Sequence, residues 1–142
     1  MTSSSSRFVL DSFAVIAFLQ DEKGADKVEE LLKEAERGKA KLYMHVLNLG
    51  EVYYNVFKGE GENLANSVWA KVRNYPVEFV HDLSEGFLLS AARIKGTYPI
   101  SYADAFAVAT SIEKEAVLIT GDLDFKLLER DGKIKVLWIR NV

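Results

Sequence analysis

The chain has 142 residues, of which 49% are hydrophobic and 27% are charged, and these values predict one compact domain with its own core. Because it contains no cysteine, it can form no disulfide, zinc-thiolate site or cysteine nucleophile, which fits an intracellular, cytoplasmic location. The net charge of −3 offers no overall attraction for nucleic acid, although basic pairs such as Lys71 with Arg73 could flank an acidic centre.

The first six residues, MTSSSS, have neither the basic leader nor the apolar core of a signal peptide. We interpret residues 1–6 as a disordered lead-in or an expression remnant, and residues 7–142 as a single domain. No apolar run approaches the length of a membrane-spanning helix, so we expect a soluble protein.

Apolar runs and helical periodicities alternate along the chain. Residues 8–10 are a predicted strand that ends at Asp11, and Ser12 is the predicted N-cap of a helix over 14–19. An amphipathic helix over 28–35 ends at Gly38. The remaining predicted elements are, in order, a strand over 42–46, helices over 49–56 and 64–72, a strand over 77–80, helices over 84–95 and 101–112, and strands over 116–120 and 134–139.

This alternation of strands and helices predicts the fold class. Parallel neighbouring strands need crossover connections, and the helices between them supply these. We therefore expect an α/β fold, a three-layer sandwich with a central five-stranded, mainly parallel sheet flanked by helices.

Four acidic residues occupy the ends of predicted strands or the beginnings of predicted helices: Asp11, Glu51, Asp104 and Asp122. In open parallel sheets these positions face the carboxyl edge of the strands, where ligands bind, so all four could converge there. Two bare carboxylates about 4 Å apart repel by roughly 4 kcal/mol at an effective dielectric near 20. Such a cluster therefore holds a cation or has raised pKa values.

Each of these acids also has a structural interpretation. Asp11 could be a helix N-cap, and Glu51 could be a solvated first-turn acid. The S-x-x-D sequence that ends at Asp104 matches a capping box, which is the strongest of the structural alternatives. Asp122 could belong to a Gly-Asp turn, and Asp124, two residues on, could replace or assist it.

Taken together, carboxylates at one edge are typical of a magnesium or manganese site and not of zinc, because the chain has no cysteine and no obvious histidine pair. We interpret His45, within a predicted strand, and His81, at a strand end, as structural. Four aromatic residues could stack on nucleic-acid bases, but aromatic side chains at helical spacing usually belong to the core. They are Tyr53, Tyr54, Phe57 and Trp69.

The chain resembles the PIN-domain nucleases, and most of all the single-domain VapC-type toxin ribonucleases. The resemblance runs from Phe8 over nearly the whole chain and depends on the order and spacing of four blocks: VLDS at 9–12, NLGEV at 48–52, SYADA at 101–105 and TGD at 120–122.

The resemblance implies a three-layer α/β sandwich, dependence on Mg²⁺ or Mn²⁺, and cleavage of RNA. It further implies a homodimer and, for the toxin subgroup, an inhibitory protein antitoxin. The implied acidic metal site consists of Asp11, Glu51, Asp104 and Asp122, with Thr120 as a polar helper and Asp124 as an auxiliary acid.

The mechanism expected from such a site is hydrolysis of RNA phosphodiesters by a metal-activated water, which leaves 5′-phosphate ends. A non-catalytic adaptor of the same fold is the second hypothesis, and the presence of all four acids places it second. A third is a phosphatase or phospho-receiver with Asp11 as nucleophile. It is disfavoured because Phe13 stands where a phosphatase has its second acid, and because 120–122 contains no lysine.

Overall fold

The computed structural model describes residues 6–140. The predicted lead-in therefore lies outside the described residues apart from Ser6. The strands are β1 (Arg7–Leu10), β2 (Lys41–His45), β3 (Glu78–Val80), β4 (Val117–Thr120) and β5 (Val136–Trp138). The helices are α1 (Ser12–Leu19), α2 (Ala25–Glu36), α3 (Val46–Glu60), α4 (Glu62–Arg73), α5 (Glu85–Thr97), α6 (Tyr102–Lys114) and α7 (Lys126–Arg130), and a short 3₁₀ helix (Leu123–Phe125) precedes α7.

The element order agrees with the prediction, but some boundaries were wrong. The second strand was predicted to include Val46, which is the first residue of α3. The helix begins early because His45 is its N-cap, with Nδ1 of the imidazole accepting a hydrogen bond from the backbone N–H of Leu47 at 3.1 Å. Helix α7 was not predicted at all, since five residues are too few to show a helical period.

Each pair of neighbouring strands is parallel, and their order is β3-β2-β1-β4-β5. Strand β1 is therefore central, with β2 on one side and β4 on the other. The predicted five-stranded α/β sandwich is confirmed, and its sheet is parallel throughout the part of the chain that the structure describes.

The core consists of two apolar layers, one on each face of the sheet. Val9, Tyr43 and Leu118 are aligned across neighbouring strands and pack against α5, α6 and α7. Leu10 and Ile119 point to the opposite face and pack against α1 to α4. Successive side chains of a strand point to opposite faces of the sheet, so a strand of consecutive apolar residues makes both faces apolar. Full burial of each aliphatic side chain contributes about 1.5–3 kcal/mol to stability.

Gly24, just before α2, is held against the end of the sheet. Its φ is +95°, and a Cβ there would lie 2.4 Å from the carbonyl oxygen of Ile139. We expect Gly24→Ala to lower the free energy of unfolding by at least about 2 kcal/mol, because a left-handed backbone conformation and overpacking each cost about 1–2 kcal/mol. Urea unfolding followed by circular dichroism measures this loss.

The control is Gly38→Ala, where φ is also positive, at +73°, but no atom lies within 4 Å of the added Cβ. It should lose only the backbone contribution. An equal loss of unfolding free energy in the two variants would show that the close contact of residue 24 with Ile139 does not affect stability.

Candidate metal site at the carboxyl edge of the sheet

A cleft of about 390 Å³ opens beyond the carboxyl ends of β1 and β4. The chain first adds β2 and β3 on one side of β1 and then β4 and β5 on the other, which makes a topological switch point between β1 and β4. Ligands of open parallel sheets bind at such a point. The cleft is lined by six carboxylates and five other residues: Asp11, Glu22, Glu51, Asp104, Asp122, Asp124, Ser12, Phe13, Ile16, Asn55 and Ser101. All four acids predicted from the sequence line it, and so does Asp124.

Asp11 is buried where β1 passes into α1, with 2% of its surface exposed. It is the N-cap of α1, since Oδ1 accepts a hydrogen bond from the N–H of Ala14 at 2.8 Å. Its Oδ2 accepts a short hydrogen bond from the hydroxyl of Thr120. The pKa of Asp11 is raised to about 8, chiefly by burial and to a smaller extent by the charges of Asp104 and Asp122, while the two hydrogen bonds oppose the shift.

The prediction of Ser12 as the N-cap was wrong, because Asp11 caps the helix itself. Ser12 is the first residue of α1, and its hydroxyl donates to Oε1 of Glu51 on α3. The hydroxyl of Tyr54 donates to the other oxygen of the same carboxylate at 3.5 Å. Two hydroxyl groups thus orient the half-buried carboxylate of Glu51 at the cleft.

Asp104 lies in the first turn of α6 and is buried, with 8% of its surface exposed. Ser101 is the N-cap of this helix, as predicted, and its Oγ accepts from the backbone N–H of Asp104 at 3.1 Å. Burial and the charge of Asp122 raise the pKa of Asp104 to about 6, and Ser101 opposes the shift by hydrogen bonding to the carboxylate. The capping box places the acid in the cleft, so its structural and chemical roles are compatible.

Asp122 and Asp124 follow β4 in a tight turn. The N–H of Asp122 donates to Oγ1 of Thr120 at 3.0 Å, and the N–H of Asp124 donates to Oδ1 of Asp122 at 2.9 Å. One carboxylate oxygen from each of Asp104, Asp122 and Asp124 lies within 4.8 Å of the others. We call these three residues the acidic triad.

The acidic triad has the donor chemistry of a hard divalent cation. Oxygen ligands of one Mg²⁺ ion lie at most about 4.2 Å apart, so oxygens within 4.8 Å of one another need only small side-chain rotations to share an ion. Asp11 and Glu51 line the same cleft but are outside this closest group of described residues, and their carboxylates accept hydrogen bonds from Thr120 and Ser12. The residues present therefore fit a divalent cation, with oxygen ligands only.

A family model for the PIN domain matches residues 8–131. The chain belongs to the PIN domain family. The family predicted from the four sequence blocks is thereby confirmed. No curated protein sequence matches the chain.

Several solved structures are similar in fold to this PIN domain over most of its length. VapBC-1 from nontypeable Haemophilus influenzae has a TM-score of 0.68 at 18% identity, covering 94% of this chain and 98% of that chain. VapBC2 from Rickettsia felis, bound to a DNA fragment from its promoter, has 0.67 at 17%, covering 92% and 97%. Mycobacterium tuberculosis VapC20, a sarcin-ricin loop cleaving toxin, has 0.65 at 19%, covering 86% and 94%. At these identities the likeness shows the fold.

His45 is structural in this PIN domain, as its burial shows. Its ring is fully buried, stacks on Phe87 with centroids 5.4 Å apart and contacts Phe106 edge-on. Because Nδ1 accepts from Leu47, Nε2 carries the proton and donates to the carbonyl of Asp82 at 3.0 Å. Burial lowers the pKa of His45, so the ring is neutral at physiological pH. Neither histidine is among the cleft-lining residues.

The aromatic residues of α3 and α4 form a surface and do not belong to the core, so their interpretation as core residues was wrong. Tyr54, Phe57 and Trp69 keep 52%, 46% and 39% of their surface exposed. The half-buried ring of Tyr53 contacts two of them, with centroids 6.1 Å from Phe57 and 5.9 Å from Trp69. We call Tyr53, Phe57 and Trp69 the aromatic face, whereas the hydroxyl of Tyr54 contacts Glu51 at the cleft.

Asn48 belongs to the NLGEV block, but the sequence did not predict a role for it at the site. It is fully buried, and its Nδ2 donates to the carbonyl of Ala103 at 2.9 Å, which joins α3 to the first turn of α6. Glu51 and Asp104 are thus brought to one cleft by a direct hydrogen bond between their helices. A polar residue between the apolar Leu47 and Leu49 was the available signal.

Among residues 6–140 no helix is long and apolar enough to cross a membrane.

Proposed function

We propose that this PIN domain is a divalent-metal-dependent endoribonuclease and the toxin of a toxin-antitoxin pair. The proposal is carried by one observation: five acids predicted from the sequence line one cleft at the switch point of the sheet. The raised pKa values of Asp11 and Asp104 support it, because such shifts are typical of functional sites. The names of the structural relatives support the toxin part of the proposal.

The cation we propose is Mg²⁺ or Mn²⁺. When bound, it supplies positive charge for a phosphate and lowers the pKa of a water molecule. We propose Asp11, Glu51, Asp104 and Asp122 as its ligands, with Asp124, the third member of the acidic triad, as an auxiliary acid. Thr120 and Ser12 hold the carboxylates of Asp11 and Glu51 in place through their hydroxyl hydrogen bonds, and residues behind metal ligands commonly have this orienting role.

Hydrolysis by water is favoured over attack by the 2′-hydroxyl of the RNA. The latter route needs a tuned general base near the phosphate, and no histidine lines the cleft formed by the described residues. His45, the buried histidine, uses both ring nitrogens in structural hydrogen bonds.

We expect purified protein to cut RNA with Mg²⁺ or Mn²⁺, to lose activity with EDTA, and to leave 5′-phosphate and 3′-hydroxyl ends. End-labelled RNA substrates, followed by digestion with an exonuclease that requires a 5′-phosphate, measure this. Products with 2′,3′-cyclic phosphate ends would overturn the mechanism. A protein that neither binds Mn²⁺ nor cuts varied RNAs, yet binds its partner normally, would instead be the non-catalytic adaptor.

We infer a protein antitoxin as partner and a homodimer as the assembled form. The aromatic face supports a protein partner, because contiguous exposed apolar groups mark interaction surfaces. The ring of Tyr53 contacts the rings of Phe57 and Trp69, so these exposed apolar groups are adjacent on the packed helices α3 and α4. Light scattering of the isolated chain, alone and with the product of a neighbouring gene, tests both inferences.

A further inference from the structure

Arg140 lies at the carboxyl end of β5, beside the acidic cleft. The preceding residue, Ile139, is buried, and its N–H donates to the carbonyl of Thr120 at 3.1 Å, so this segment is held next to the end of β4. Nε of Arg140 donates to the carbonyl of Gly121 at 2.8 Å. The guanidinium carbon lies 4.9 Å from the ring centre of Phe13, which lines the cleft.

The contact between Phe13 and Gly121 makes this arrangement specific. A Cβ at Gly121 would lie 2.4 Å from Cε1 of Phe13, so the ring packs directly on the glycine backbone. The guanidinium of Arg140 is therefore held both by the ring and by the glycine carbonyl. Residue 121 is next to Asp122 of the acidic triad, which places the guanidinium at the rim of the cleft.

The cleft itself has no cationic side chain to hold a polyanion. Six carboxylates line it, and no lysine or arginine is among its lining residues in residues 6–140. The net charge of −3 adds no general attraction for RNA. We propose that Arg140 binds a backbone phosphate of the RNA at the rim of the acidic cleft.

The chemistry of arginine suits this role. With Nε bound to Gly121 and one face of the guanidinium against Phe13, the group is oriented while its Nη donors are not used by these two contacts. A guanidinium binds phosphate through two parallel hydrogen bonds and is always charged. Holding it in place beforehand lowers the entropy lost when the substrate binds.

The proposal depends on the proposed ribonuclease activity, and Arg140→Gln tests it. We expect KM for a short single-stranded RNA to rise about tenfold or more, as for loss of a charge-assisted hydrogen bond, with kcat changed much less. The slope of log binding constant against log salt concentration should become smaller by about 0.7, the value for one phosphate contact on a single strand. Mn²⁺ affinity should be unchanged. Arg140→Lys keeps the charge and should recover the salt slope but only part of the KM.

Arg73→Gln is the matched control. Arg73, which the sequence suggested could flank the acidic centre, is not among the cleft-lining residues. It also lies over a phenylalanine ring, 5.1 Å from the centre of Phe79, but near β3, at the far edge of the sheet from β5. The Arg73→Gln variant should have the same KM and salt slope as the wild type.

RNA binding measured in EDTA separates the possible failures. A wild-type protein that neither binds nor cuts RNA would overturn the proposed function. A wild-type protein that cuts RNA, with an Arg140→Gln variant of unchanged KM and salt slope, would overturn only the role of Arg140. Equal loss of thermal stability in the Gln and Lys variants, with an unchanged salt slope, would assign Arg140 a purely structural role.

Discussion

Asp104→Asn is expected to lower metal-dependent RNA cleavage by more than about 100-fold while the protein stays folded. Changing a residue behind a metal ligand commonly costs 10–100-fold, and Asp104 itself belongs to the acidic triad. The fold should survive because the N-cap bond runs from the backbone N–H of residue 104 to Ser101, and the substitution keeps that N–H. The ratio kcat/KM and the affinity for Mn²⁺ measure the effect.

Two further variants make this result interpretable. Glu113→Gln changes the charge of an exposed residue on the same helix and should leave cleavage unchanged. Asp124→Asn should cause a smaller loss than Asp104→Asn, because the side chain of Asp124 is exposed and reaches the triad from a surface turn. A folded Asp104→Asn protein with full activity would remove Asp104 from the site, and an unfolded one would favour its role as a helix cap.

Asp11→Asn should stabilise the metal-free protein, and the gain should grow as the pH rises. The pKa of Asp11 is raised from 3.8 to about 8 in the folded state. Between about pH 4 and pH 8 the folded state thus holds a proton that the unfolded state releases, and wild-type stability falls with rising pH. The asparagine amide resembles the protonated acid, since its oxygen can accept from Ala14 and its NH₂ group can donate to Thr120.

We expect the difference in unfolding free energy between variant and wild type to grow by about 2.5 kcal/mol from pH 6 to pH 8.5. Urea unfolding in EDTA at the two pH values measures it. Added Mg²⁺ should reverse the ranking, because only the wild type keeps the full acidic site. A variant that is less stable at pH 8.5 in EDTA would show that the Asp11 charge is compensated in the folded state.

Much of the fold could be predicted because the relevant signals are local. Residues 8–10 and 116–120 are apolar runs of strand length, and 28–35 has the period of a helix with one buried face. The errors occurred where a tertiary or capping contact sets the boundary. His45 ends β2 and starts α3 with its own side chain, and the short α7 has too few residues to show a period.

The site was predictable only as a set of positions. Acids that follow strands or begin helices lie at the carboxyl edge of a parallel sheet, so Asp11, Glu51, Asp104 and Asp122 could be placed at one edge. Their separations depend on side-chain contacts between elements far apart in sequence, which no local pattern contains. The position of Arg140 could not be predicted for the same reason, because its partners Phe13 and Gly121 are distant along the chain.

The sequence by itself determined the α/β class, the order of the elements and the acids that occupy the strand ends, because these follow from periodicity and chain direction. Only the tertiary structure decided how the acids are grouped. Asp11 is buried and accepts a hydrogen bond from Thr120, whereas the turn after β4 brings Asp124 next to Asp122 and Asp104. The physical reason is that charge repulsion and burial depend on distances in space, and hydrogen bonds between separate elements set those distances.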